Sequence, residues 1–276
     1  MTIAMNLVAV CAEQTGDTLQ ITLNRPEARN AMSLQMVGEL CQVLQAAEAT
    51  AGQPDAVRVV VLRGAGGHFC AGGDLKDMAA ARMQTMQKAD GAEDPIAKVN
   101  AEFGALCVAY ANTPLAVVAV LEGTVMGGGF GLACVADVAI ATETASFRLP
   151  ETSLGVVPAQ IAPFLVERLG YSQAKRLAVT GGRLDAAAAL HLGLVHEVTG
   201  TATVQTVLDR VLADILACAP GALAATKALM ARARLETPQS LVQDAAAIFS
   251  RAAMGPEGLE GMTAFIQKRK PQWALP

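Results

Sequence analysis

Apolar and polar positions alternate over DTLQITLNRP (17–26), as in a half-buried strand, and Pro26 ends the run. Ser33 then precedes LQMVGELCQVLQAAEA, which predicts a helix with Ser33 as its N-cap. VRVVVLRG (57–64) is short, β-branched and apolar, the pattern of a buried strand. A glycine-rich turn, GAGGHFCAGGDL (64–75), follows, with Asp74 placed to cap the next helix. AEFGALCVAYAN (101–112) predicts a helix and LAVVAVLEG (115–123) a strand. After a run of glycines, LACVADVAIAT (132–142) reads as a short helix passing into a strand, and SFRLPE (146–151) as another short strand. From about residue 160 helices dominate, over 160–180, 185–192, 204–218, 221–234, 238–253 and 256–269. Val204, Val207, Leu208, Val211, Leu212, Ile215 and Leu216 form one apolar stripe at helical spacing. The polar stretch MQTMQKADGAEDP (83–95) reads as a mobile surface loop.

Strands that alternate with helices, followed by helices alone, predict an α/β core over residues 1–200 and a helical region over 201–276. Phe103 to Leu121 carries no charge and approaches the length of a membrane span. Asn112-Thr113-Pro114 interrupts it, so a helix, a turn and a strand are expected there instead. The first residues, MTIAMNLVAV, lack a basic region and a cleavage site, so no signal peptide is expected.

About half of the 276 residues are apolar, enough for a sizeable core. A net charge of −4 and a pI near 5.4 argue against a nucleic-acid partner. The six cysteines are scattered, with no C-x-x-C pair, and are expected to be buried free thiols in a reducing, cytoplasmic setting.

The chemistry turns on the glycines of GTVMGGGFGLACVAD (123–137). Such a run serves either a phosphate cradled by backbone amides or an oxyanion held by them. G-x-G-x-x-G is absent, and so are G-x-x-x-x-G-K-[ST], G-x-S-x-G and H-E-x-x-H. Of the histidines His68, His191 and His196, the second reads as a surface residue and the third as structural, which leaves a histidine dyad poorly supported. FCAGGDL and MGGGFGL each end an extended run with small residues and backbone donors. Two amides from separate segments can converge on one oxygen, and a helix starting just after Gly128 adds its positive end. Taken singly, either run is equally well read as a tight turn.

HFCAGGDLKDM together with LEGTVMGGGFGLACVADVAIATETASFRLPETSLGVVP closely resembles the enoyl-CoA hydratase/isomerase (crotonase) family. LNRPEARNAMS, GLVHEV and FIQKRKPQW resemble it too, in the same order. The resemblance implies an α/β fold, a crotonase-like ββα spiral with a helical C-terminal trimerisation region. It implies a homotrimer, or a hexamer built as a dimer of trimers. An acyl-CoA thioester is the implied substrate, with its enolate held in an oxyanion hole. Coenzyme A enters only as part of that substrate; no other cofactor, no metal, no nucleic acid and no membrane are implied. The implied hole donors are the amides of Ala71 and Gly128. The implied CoA-binding residues are Ala28, Arg29, Ala71, Gly72, Gly73, Asp74 and Leu75, with Phe265 and Lys268 reaching a neighbouring subunit's CoA.

Hydratases of the family commonly use two glutamates. One of those places is Glu151 here and the other is Gly131, which cannot move a proton. GGGFGLA with PAQIAPF resembles a bacterial branch that hydrates branched glutaconyl-CoA esters, isohexenylglutaconyl-CoA ahead of 3-methylglutaconyl-CoA. Phe130, Val156, Val157, Gln160, Ile161 and Phe164 are expected near the acyl chain. The rival readings are a Δ3-Δ2 enoyl-CoA isomerase or another lyase of the same fold, and a non-catalytic acyl-CoA binder.

Overall fold

The computed structural model describes residues 7–87, 92 and 94–274. In chain order its elements are β1 (Val10–Thr15), β2 (Thr18–Leu23), α1 (Leu34–Glu48), β3 (Val59–Gly64), α2 (Leu75–Gln87), α3 (Pro95–Asn112), β4 (Ala116–Leu121), β5 (Thr124–Met126), α4 (Gly128–Val135), β6 (Val138–Thr142) and β7 (Ser146–Arg148). They continue with α5 (Ala162–Thr180), β8 (Arg183–Asp185), α6 (Ala186–His191), β9 (Glu197–Thr199), α7 (Val204–Leu216), α8 (Pro220–Ala233), α9 (Pro238–Met254) and α10 (Pro256–Ile266).

The main sheet runs β1-β2-β3-β4-β6-β9, parallel except for the β1–β2 hairpin. A smaller sheet, β5-β7-β8, stands apart from it. β4 is buried at every position, because both of its faces are covered. Val117, Ala119 and Leu121 enter the larger core, while Ala116, Val118 and Val120 enter a second core beneath α7. The predicted stripe of α7 is the stripe that packs there: Val204, Leu208 and Val211 are buried, and Val207, Leu212, Ile215 and Leu216 flank them.

Local chemistry sets the helix starts. Ser33 accepts a hydrogen bond from the Met36 amide, as the sequence predicts. Asp94 accepts from the Ile96 amide, and Pro95 opens α3. α3 therefore begins six residues before the helix expected from residue 101. The stretch 83–95 is not all loop: residues 83–87 complete α2, whose methionines and glutamines favour helix although most of its surface is exposed. Residues 88–91 and 93, and residues 1–6 of the N-terminal stretch, lie outside the described residues. β1, β5, β8 and β9 are strands that the pattern did not announce; three of them are only three residues long.

All six cysteines are free, but Cys11 and Cys218 are exposed, against the expectation of burial. No described helix is long and apolar enough to cross a membrane.

The C-terminal helices dock through backbone carbonyls. Arg58 at the start of β3 donates to the carbonyls of Leu216, Cys218 and Trp273. Lys227 of α8 pairs with Asp137 and donates to the Leu115 carbonyl. Beyond α7 little is buried: Leu241 and Ala264 are, whereas Val242, Phe249, Met254, Phe265 and Ile266 are exposed.

Candidate active site

Three segments meet at the N-terminus of α4. The first is the turn 69–75. Cys70 extends the small sheet, donating to the Thr124 carbonyl and accepting from the Met126 amide. On the other side, the Met32 amide donates to the Gly72 carbonyl and the Asp74 amide to the Met32 carbonyl. In such a parallel bridge the residue between the two bonds, Gly73, turns its own amide away from Met32. Gly73 is exposed, its amide has no hydrogen-bond partner among the described residues, and a Cβ added there would meet nothing within 4 Å.

This geometry corrects one expected donor. The Ala71 amide is engaged: it donates to the Arg29 carbonyl at 3.0 Å and joins the turn to residues 25–30. An amide held inside the fold is not available to an oxyanion. Two residues on, the amide of Gly73 is left without a partner among the described residues.

The second segment is Met126 to Gly131. Gly127 has φ +48° and donates to the Arg148 carbonyl at 3.2 Å. Gly128 opens α4, so its amide is one of the first-turn donors without an intrahelical acceptor, at the positive end of the helix. Gly72 and Gly127 approach so closely that a Cβ on Gly127 would lie 3.5 Å from the Gly72 Cα. Both residues have positive φ, +98° at Gly72 and +48° at Gly127, a conformation that favours glycine.

The third segment carries Glu151, first residue of a short 3-10 turn, Glu151–Leu154. Its Oε1 lies 3.1 Å from the place a Gly127 Cβ would take. Its Oε2 is buried and has no hydrogen-bond partner among the described residues. Burial pushes the carboxyl above the ordinary carboxylate range, against a backbone hydrogen bond that pulls it down. A carboxyl that holds its proton more tightly than usual is suited to acid/base work near neutral pH.

The expected CoA-binding residues divide. Ala28 ends the short turn Pro26–Ala28, and Arg29 follows in the left-handed region, its carbonyl on the Ala71 amide. The Arg29 side chain has no ion-pair partner among the described residues, while Leu75 is exposed at the start of α2. Asp74 is committed elsewhere. It pairs with Arg25 at 2.6 Å and accepts from the Lys76 amide, as the capping expectation had it. Burial works against its charge, but those partners keep its carboxyl below the usual range. Phe265 is exposed at the end of α10 and Lys268 follows with φ +52°; among the described residues no hydrogen bond or ion pair joins either to the site.

Several supports were not foreseen. Asn30 is fully buried, accepts from the Arg25 amide and donates to the carbonyls of Ala65 and His68, tying residues 25–30 to the glycine-rich turn. Its one legible signal was that asparagine tolerates the left-handed conformation it adopts, φ +56°. Arg168 grips the far end of α4, donating to the carbonyls of Cys134 and Ala136, where a cation suits the helix dipole. His68 and His196 are structural, accepting from the amides of Thr124 and Ala139, and His191 is exposed. Of the residues expected near the acyl chain, Phe130 and Ile161 are both buried in the larger core, Phe130 edge-on to Phe147 at 6.0 Å. Val156 and Val157 are exposed, and Phe164 packs against the core. Phe103, not foreseen, presents its ring tip to α4.

A sequence model of the family "Enoyl-CoA hydratase/isomerase" matches residues 13–275. The chain belongs to that family, and its architecture is the α/β crotonase fold. An enoyl-CoA hydratase/isomerase from Marinobacter aquaeolei superposes with a TM-score of 0.91 at 51% identity, over 97% of this chain and 99% of that one. Pseudomonas aeruginosa AtuE superposes with a TM-score of 0.91 at 49% identity, over 97% of this chain and all of that one. A probable enoyl-CoA hydratase of Rhizobium meliloti (strain 1021) is 32% identical over 98% of this chain and 99% of its own length.

Proposed function

We propose that this chain is an enoyl-CoA hydratase, adding water across the α,β double bond of an acyl-CoA thioester. The carrying observation is Glu151: its Oε1 lies 3.1 Å from the place a Gly127 Cβ would take, and its buried Oε2 has no hydrogen-bond partner among the described residues. The thioester oxygen accepts from the Gly73 and Gly128 amides, which stabilise the enolate by several kcal/mol. Glu151 takes one proton from water as the oxygen bonds to Cβ. The C=C electron pair moves into the enolate, and Glu151 then returns that proton to Cα. One carboxylate closes this balance, because the proton it removes is the one it delivers. No cofactor beyond the CoA of the substrate is called for.

Arg29 suits the CoA phosphates, since a guanidinium pairs with phosphate oxygens in a fixed fork. The likeness of PAQIAPF supports a branched glutaconyl-CoA substrate, isohexenylglutaconyl- or 3-methylglutaconyl-CoA. A tertiary Cβ tolerates positive character, which eases the attack of water without a second glutamate. The exposed Phe249, Phe265 and Ile266 support burial between copies in a trimer or a pair of trimers, with Phe265 and Lys268 reaching a neighbour's CoA. The free thiols fit a cytoplasmic location.

Mass spectrometry tests the reaction. With isohexenylglutaconyl-, 3-methylglutaconyl- and crotonyl-CoA offered in parallel, a branched ester gains the mass of one water with the wild type and not with Glu151→Gln. Δ3-Δ2 isomerisation is the second reading, favoured by the single carboxylate; a double-bond shift with no gain in mass would establish it and sink hydration. Binding without either change would leave an acyl-CoA binder.

A further inference from the structure

Gly131 and Gly128 lie three residues apart on α4 and so share a face. A Cβ at 128 would lie 3.2 Å from the Phe103 Cζ. A Cβ at 131 would lie 3.4 Å from that same atom, and 2.4 Å from Cγ2 of Ile161. The space a glutamate at 131 would use is therefore filled by an isoleucine. Ile161 is 2% exposed, and its backbone is fixed as the residue preceding α5, where its carbonyl accepts from the Leu165 amide. It ends the loop that begins at Glu151, so the loop that brings the acid/base also brings this apolar wall. Phe103 stands against both glycine positions and Ile161 against the second, so the two side chains line the α4 face that runs from Gly128 to Gly131.

We infer that Ile161 determines which acyl chains the site accepts, by occupying the volume that Gly131 leaves vacant and shaping the wall beside the substrate's Cβ. The inference rests on the thioester oxygen lying at Gly128. Gly131 and Ile161 then form one coupled pair: glycine is required at 131 because isoleucine stands at 161. Putting a carboxylate back at 131 alone does not rebuild a two-glutamate site, since the space is taken.

Saturated acyl-CoAs separate this from the reaction itself. Affinities for butyryl-CoA and isovaleryl-CoA, which differ by a methyl group on Cβ, are measured by titration calorimetry. The proteins are the wild type, Ile161→Val, Ile161→Ala, Gly131→Ala, and Gly131→Ala combined with Ile161→Ala. Shortening Ile161 shifts the affinity ratio toward isovaleryl-CoA by about tenfold or more, the scale on which an apolar pocket discriminates one methylene. Gly131→Ala weakens both ligands, and the added Ile161→Ala restores them. An unchanged ratio in folded Ile161→Val and Ile161→Ala overturns the inference, as does Gly131→Ala binding like the wild type. If the wild type adds no water to any enoyl-CoA, hydration fails while the ratio still decides the role of Ile161. If the wild type binds neither ligand, the inference about Ile161 falls, while hydration is decided by the gain of water alone.

Discussion

The turn 70–75 and the segment 127–131 are both rich in glycine and both lead into a helix, yet glycine serves different ends in them. In 127–131 its role is steric. A Cβ at Gly129 would lie 2.6 Å from the Cys70 carbonyl oxygen, and one at Gly131 would strike Ile161. In 70–75 the critical residue, Gly73, has open space around it. What counts there is a free amide, and Gly72, with φ +98° and a Cβ position 3.3 Å from the Met126 oxygen, sets the bend that frees it. A glycine count therefore does not say which amide is available. That follows from which neighbouring chain has already claimed each amide.

The largest effect is expected from Glu151, which stands beside Gly127. Glu151→Gln is expected to lower kcat/KM by about 10²–10⁴, the usual worth of a positioned general acid/base, in steady-state hydration assays. The limb of the pH–rate profile that lies above the ordinary carboxylate range should vanish with it. Next in size, Gly73→Pro deletes one donor and should cost about 10²–10³ in kcat with the melting temperature checked alongside, whereas loss of activity confined to a collapsed fold would return Gly73 to a structural role. Gly129→Ala should act on stability, by about 1–3 kcal/mol in urea unfolding, because its Cβ meets backbone that cannot move aside.

A smaller effect tests the burial of Glu151. Its folded pKa is raised, so the folded state binds the proton more tightly than the unfolded one. Its contribution to stability is then present below the unfolded pKa and lost as pH rises through the folded one. Glu151→Gln should accordingly be more stable than the wild type at neutral pH, with the difference fading on acidification below the ordinary carboxylate value; thermal melts across that range would show it. The smallest effect is Gly73→Ala, which should change stability by no more than about 0.5 kcal/mol and retain the amide. A severe defect there would mean that the open space around Gly73 is needed by the ligand.

Much of this was legible along the chain. The α7 stripe, the Ser33 cap, the strand at β4 and a short helix beginning beside Gly128 are local matters of periodicity and capping, and local rules gave them. Glu151 was placed by resemblance. The short strands β5, β8 and β9 were not legible, because three residues carry no period and pair only when distant partners arrive. Asn30 and Arg168 were missed for the same reason: their partners lie 35 and 34 residues away.

The sequence by itself determined most of the helices, the longer inner strands and which stripe of α7 faces inward. Those depend on neighbours within a few residues. Only the tertiary structure decided that the Ala71 amide belongs to Arg29 and leaves Gly73 free, and that Ile161 fills the place beside Gly131. A hydrogen-bond donor has one proton to give and a space holds one side chain, so which partner takes it is settled when residues far apart in the chain compete for the same point.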